Sequence, residues 1–183
     1  MKAIQHFKTI MHHKRLVMQG CFKVGLYLQG IVHDLSKFSP TEFIPGAKYF
    51  QGTRSPNNAE REDKGYSKAW MHHKGRNKHH YEYWTDYAPE NAKDHRPGDI
   101  KAAPMPDKYI AEMIMDRIAA SKTYLGDRYD DSCPLKYLDK VPLENRMIHP
   151  DTYKKLRMLL VMLAKKGEDE TFRYIKHVFL KKR

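Results

Sequence analysis

The run His33-Asp34-Leu35-Ser36-Lys37-Phe38-Ser39-Pro40 puts an imidazole and a carboxylate on neighbouring residues, where both can converge on one divalent cation. Lys37 follows closely enough to approach an anion held by that cation. A His-Asp pair is common by chance, so its weight depends on further ligands elsewhere in the chain. The second dense stretch is AWMHHKGRNKHHYEYW, residues 69–84, with His72, His73, His79 and His80 between two tryptophans. Read as a helix, it sets His73, Asn77 and His80 on one face. A basic, aromatic-rich surface of this kind could stack on single-stranded nucleic acid. Histidine is mostly neutral at pH 7, however, and neutral imidazoles are good transition-metal ligands, which favours a metal role for His73, His79 and His80.

A third signal is Asp116, on a helical stripe with Tyr109, Met113 and Ala120. A carboxylate on a core-facing stripe must be paired, protonated or bound to a cation. A salt bridge to a buried arginine or lysine would serve as well as a metal.

The elements that must carry these residues read as helices. Apolar residues recur at helical spacing from Ile4 to about Gln29, as one long helix or two broken near Gly20, with His13 near the middle. The pattern continues through Ile31 and Val32 and puts His33 and Asp34 at the helix end. Ser39-Pro40-Thr41-Glu42 fits a capping box, which assigns Glu42 to the helix start rather than to a metal. Residues 51–63 read as a surface loop, and 87–106 as a long connection in which His95 has no supporting ligand. Pro106-Asp107 opens a helix to about Tyr124, and a short helix ends at Leu138. Pro150 opens another helix with Leu156, Leu159, Leu160 and Leu163 as its apolar face and Gly167 as its stop, and a last helix ends near Leu180. No segment alternates convincingly as a strand. The expectation is an all-α, single-domain bundle of about 6–8 helices, with a metal-site core in residues 1–125 and helices in 126–183 completing it.

The chain has 183 residues, 40% apolar and 31% charged, enough for one domain with a continuous core. No apolar run reaches membrane-spanning length, and the N-terminus is interrupted by charge too often for a signal peptide. Cys21 and Cys133 form no C-x-x-C pair and read as reduced thiols, so a cytoplasmic location is expected. The net charge of +12 favours phosphate-bearing partners, either a small phosphorylated molecule or nucleic acid. No nucleic-acid-binding motif stands behind that charge.

In order, the chain offers His13, the His33-Asp34 doublet, His73 with His79-His80, and Asp116. This order resembles the HD-domain superfamily of helical metal-dependent enzymes. The resemblance implies that His13, His33, Asp34 and Asp116 hold one divalent metal, with His12 as an alternative to His13. Members with two metals place additional histidines where His73, His79 and His80 fall. HDLSKFSPTEF, AWMHHKGRNKHHYEYW and MPDKYIAEMIMD look closer still to an uncharacterised HD-related family of bacteria and their phages, over roughly the first 125 residues. The implied activity is metal-assisted hydrolysis of a phosphate ester, with a nucleotide as the expected substrate. Asp34 and Lys37 would be catalytic, and Lys37, Arg76, Asn77 and Trp84 would contact substrate. The ligand types point to one or two ions of manganese, iron, cobalt, nickel or zinc rather than calcium. A di-iron oxygenase on the same ligands is the second expectation, and a nucleic-acid-binding module with a structural metal the third.

Overall fold

Two long helices from opposite ends of the sequence frame a third. Helix α1 (Lys2–Lys23) buries His6, Ile10, His13, Val17, Gly20 and Cys21 along one stripe and packs against α6 (Asp107–Leu125). Helix α8 (Pro150–Tyr174) covers another side of α6 with Leu156, Leu159, Leu160 and Leu163, all fully buried. Ile110, Met113, Ile114, Met115 and Ile118 of α6 fill the space between them. The structure is a computed structural model that describes residues 1–91, 96 and 98–181, the side chain of residue 145 excepted; His95 therefore lies outside the described residues. The fold is an all-α bundle, as its periodicity predicts, with eight α-helices among the described residues.

Helix α1 runs unbroken through Gly20, the first of the two alternatives that the sequence leaves open. Gly20 serves packing instead: a Cβ there would lie 2.7 Å from Met115 Sδ, so glycine lets α1 approach α6. The break falls at Gly25, whose φ of 84° lets the chain reverse into α2 (Tyr27–Val32). The ammonium of Lys14 donates to the carbonyls of Ile31 and His33 at 2.6 and 2.9 Å, satisfying the open end of α2 and tying it to α1.

After a 3-10 turn at Leu35–Phe38, α3 (Pro40–Lys48) starts at Pro40 as expected, but its capping box does not form. The Ser39 hydroxyl caps nothing, and Glu42 points into the protein. Residues 51–63, expected to be loop, contain α4 (Pro56–Lys64), stopped by the left-handed Gly65. Its buried Glu60 accepts from Ser67 Oγ at 2.7 Å and from the Ala69 amide, fixing the start of α5 (Lys68–Lys74). The expected long helix through residues 69–84 ends at Lys74. Asn77 takes over there, its amide donating to the His73 carbonyl at 2.8 Å and to Ser36 Oγ at 2.8 Å.

The connection to α6 contains a two-stranded antiparallel hairpin, β1 (Thr85–Tyr87) with β2 (Ile100–Ala102), which periodicity does not predict. Strands of three mostly exposed residues are too short to alternate visibly. Helix α7 (Cys133–Asp139) precedes α8, which bends at Gly167 (φ 80°) where its stop is expected and runs on into a π-turn at Ile175–Phe179. His149 caps α8 by accepting from the Asp151 amide. Cys21 and Cys133 are free thiols, and no helix among the described residues is long and apolar enough to cross a membrane.

Candidate metal centre

Asp34 is the only non-glycine residue among those described with a positive φ, 55°. That turn lets its carboxylate leave the end of α2 and enter the space between α1, α5 and α6, where it is 1% exposed. One oxygen, Oδ2, faces His13 Nε2 at 3.7 Å and His33 Nε2 at 3.3 Å; Asp116 Oδ1 lies 3.1 and 3.6 Å from the same two nitrogens. The other oxygen, Oδ1, faces His73 Nε2 at 3.3 Å and His79 Nε2 at 3.4 Å. His80 stacks beside them, 4.2 Å from the His79 ring and 4.8 Å from His73.

Three groups of donors result among the described residues: His13–His33–Asp34–Asp116 and Asp34–His73–His79–His80, with Asp34 common to both, and His33–His79–Glu112 behind them. Separations of 3.1–3.7 Å suit donor atoms each about 2.0–2.2 Å from a common ion. Nε2 of His13, His33, His79 and His80 and Oδ1 of Asp34 are buried without a hydrogen-bond partner among the described residues, while Oδ2 of Asp34 is paired with the Lys37 ammonium. Buried polar atoms left unpaired cost about 1–3 kcal/mol each, and a cation among these donors would satisfy them. The clusters can hold a metal ion.

A second layer of carboxylates aims the rings. Glu112 Oε1 accepts from His33 Nδ1 at 2.9 Å and lies 3.2 Å from His79 Nδ1. Glu42 accepts from His73 Nδ1 at 2.7 Å and from His72 Nδ1 at 2.6 Å. An ionised carboxylate only accepts, so the proton sits on Nδ1 and Nε2 is left as the ligand atom. Burial would raise the pKa of Glu42 and Glu112, but the histidines bonded to each hold it below the usual value.

Burial also opposes the charge of Asp34 and Asp116. For Asp34, His33, Lys37 and His73 outweigh it, and for Asp116 the bonds from His13 and His33 do, so both stay well below the ordinary carboxylate range. Burial works against a charged His33, yet Asp34, Asp116 and Glu112 raise its pKa well above the ordinary value. His80 goes the other way: burial, then the neighbouring His79 and His73, push it well below and keep it neutral. Lys37 Nζ lies 2.6 Å from Asp34 Oδ2 with its side chain 29% exposed, at the edge of the cluster. Burial disfavours its ammonium, and Asp34 and Asp116 more than compensate, so its pKa is raised.

All the expected metal ligands meet: His13, His33, Asp34, His73, His79, His80 and Asp116. His12 is exposed on α1, whereas His13 is buried and is the one of the pair that joins the cluster. Asp116 pairs with histidines, not with an arginine. His79 and His80 arrive through the turn after α5, not from a common helix face with His73. The expected substrate-binding residues divide. Lys37 borders the cluster and Arg76 is exposed, but Asn77 spends its amide on Ser36 and His73. Trp84 stacks on Tyr109 and donates Nε1–H to the Lys78 carbonyl at 2.8 Å, so it braces the scaffold.

Glu42 and Glu112 were not expected at the site. The capping-box pattern accounts for Glu42 locally, and its histidine partners lie 30 and 31 residues on. Glu112 carried a signal, being one helical turn before Asp116 on the same face. His6, also unexpected, is buried between the Phe43 and Phe50 rings. Burial, then the charge of Lys37, lowers its pKa to about 4.

Fold and site together define a helical protein with a buried histidine–aspartate centre able to hold metal. Residues 2–162 match the Family of unknown function (DUF5662), and the chain belongs to that family. The match takes in every candidate ligand residue and extends past residue 125 into α8. No curated protein and no solved structure matches the chain.

Proposed function

We propose that the protein is a metal-dependent phosphohydrolase of the HD type, acting on a nucleotide or another small phosphate ester. The observation that carries this reading is the pair of largely buried donor clusters sharing Asp34, each with histidine Nε2 atoms that have no hydrogen-bond partner among the described residues, and with Lys37 at their exposed edge. His13, His33, Asp34 and Asp116 would hold one divalent transition-metal ion, and Asp34, His73, His79 and His80 the second. Ions there supply Lewis acidity, lowering the pKa of a coordinated water and polarising a phosphoryl oxygen.

Charge balance supports an anionic substrate. Asp34, Asp116, Glu42 and Glu112 bring four carboxylates to the ligand histidines, and two dications would neutralise them. Lys37 is then left with an uncompensated ammonium. Relieved of Asp34, it can turn towards a phosphoryl group and stabilise the charge that develops there. Arg76, exposed after α5, and the chain's net charge of +12 add to the field that draws phosphate in.

The test is hydrolysis of p-nitrophenyl phosphate and bis(p-nitrophenyl) phosphate by protein reconstituted with Mn2+, Fe2+, Co2+, Ni2+ or Zn2+. Chelator and Asp34→Asn should each abolish turnover. Hydrolysis that persists in both refutes the proposal. One feature also favours a di-iron oxygenase, namely two positions bridged by a carboxylate with only nitrogen and oxygen donors. Oxygen consumption by the Fe2+ form without phosphate release would select it.

A further inference from the structure

Glu112 is a ligand in neither cluster built around Asp34, yet one of its oxygens reaches a histidine of each. Oε1 lies 2.9 Å from His33 Nδ1 and 3.2 Å from His79 Nδ1, and those rings are 4.4 Å apart at their centroids. The opposite nitrogens of the same rings face the two oxygens of Asp34, at 3.3 and 3.4 Å. Glu112 is 5% exposed and comes from α6 one turn before Asp116, so the helix that supplies a ligand also supplies this brace. Glu42 differs: it orients His73, and its other contact, His72, is in neither cluster.

We infer that Glu112 is a positioning residue for both cation positions at once. The inference rests on the two-cation reading above. By accepting both Nδ1–H groups, Glu112 selects the tautomer that leaves Nε2 free on His33 and on His79, and fixes both ring planes towards Asp34. Its charge lies close enough to both positions to favour a dication at either. Removing it should therefore weaken both positions, whereas removing Glu42 should weaken only the one that uses His73. Loss of such a carboxylate behind a ligand histidine typically costs about 10–100-fold in metal affinity.

The experiment is a calorimetric Zn2+ titration of the metal-stripped full chain, as wild type, Glu112→Gln and Glu42→Gln. The expected results are two bound ions for wild type, a loss of roughly 10–100-fold at one position for E42Q, and the same loss at both for E112Q. Histidine side-chain NMR of the Zn2+-loaded proteins supplies a readout that a general loss of stability would not produce. In E112Q the charge-assisted Nδ1–H bonds should weaken at His33 and His79, read as upfield shifts of those two ring protons, and stay unchanged at His73. Glu112→Asp, which retains the charge but withdraws the oxygen, should behave like E112Q, and helical circular dichroism controls for folding. Two ions in wild type with E112Q affecting one position or none overturns this inference and leaves the two-cation reading standing. A wild-type protein that takes up no Zn2+ overturns both.

Discussion

Replacing Asp34 with asparagine removes the one group common to both clusters while preserving side-chain shape. Asparagine is the right substitution because Asp34 has φ 55°, a region asparagine tolerates and alanine enters at a cost of about 1–2 kcal/mol. The amide still offers one oxygen, but its NH2 group turns donors towards whichever cluster it faces, where two imidazole lone pairs already wait. Without metal, Lys37 loses its 2.6 Å partner, but at 29% exposure it can turn to water. The metal-free variant should therefore stay folded within about 2 kcal/mol of wild type. With metal the two should part. An ion present at about a hundred times its dissociation constant stabilises the folded chain by about 2.7 kcal/mol. For a chain of this length each 1 kcal/mol moves the melting midpoint by roughly 2–4 °C. Wild type should thus gain roughly 5–11 °C for each ion bound when Zn2+ replaces chelator, and D34N close to none. Thermal unfolding of both proteins under both conditions is the assay. An equal Zn2+-dependent shift in D34N would refute the role of Asp34 as the common ligand.

Three further outcomes follow from particular residues. Lys14→Met should destabilise the protein by about 2–4 kcal/mol, because it unties the Ile31 and His33 carbonyls and frees the end of α2; urea unfolding measures this, and no change would contradict the tie. His6 is folded with a pKa of about 4 against 6.5 in the unfolded chain. The unfolded state therefore binds more protons between those values, and stability falls as pH drops from 6.5 towards 4, by up to roughly 3 kcal/mol. His6→Leu should flatten that part of the stability–pH curve, and an unchanged slope would show that His6 is not held neutral. Binding to single-stranded DNA or RNA, if the basic surface were the function, would weaken with salt and survive chelation; the proposed hydrolysis should stop with chelator.

The centre was legible where local pattern and chemistry agreed. Asp116 announced itself as a carboxylate on an apolar stripe, and the His-Asp doublet sits at a helix end as its flanking pattern implies. Leu156, Leu159, Leu160 and Leu163 face the core because nothing competes with their period. Misreadings and undecided points arose where a residue serves a distant partner. Gly20 left a break in the first helix open as an alternative, because its reason for being glycine is Met115, far along the chain, which needs the space. Glu42 completes a capping pattern with its immediate neighbours, yet its stronger partners are two histidines of α5. The run from Ala69 to Trp84 has helical spacing, but Gly75 and the Asn77 amide end the helix and swing His79 and His80 back to Asp34. The packing of Met115 on Gly20, the Glu42–histidine bonds and the Asn77 bond to Ser36 each act over long range and outweigh a local propensity.

The central claim is that the buried clusters around Asp34 are a metal centre. Elemental analysis of the protein purified without chelator, and again after stripping and reconstitution with Zn2+, Co2+ or Mn2+, tests it most directly. The proposed function predicts one or two transition-metal ions per chain as isolated and two after reconstitution. A chain that carries none and takes up none would contradict it.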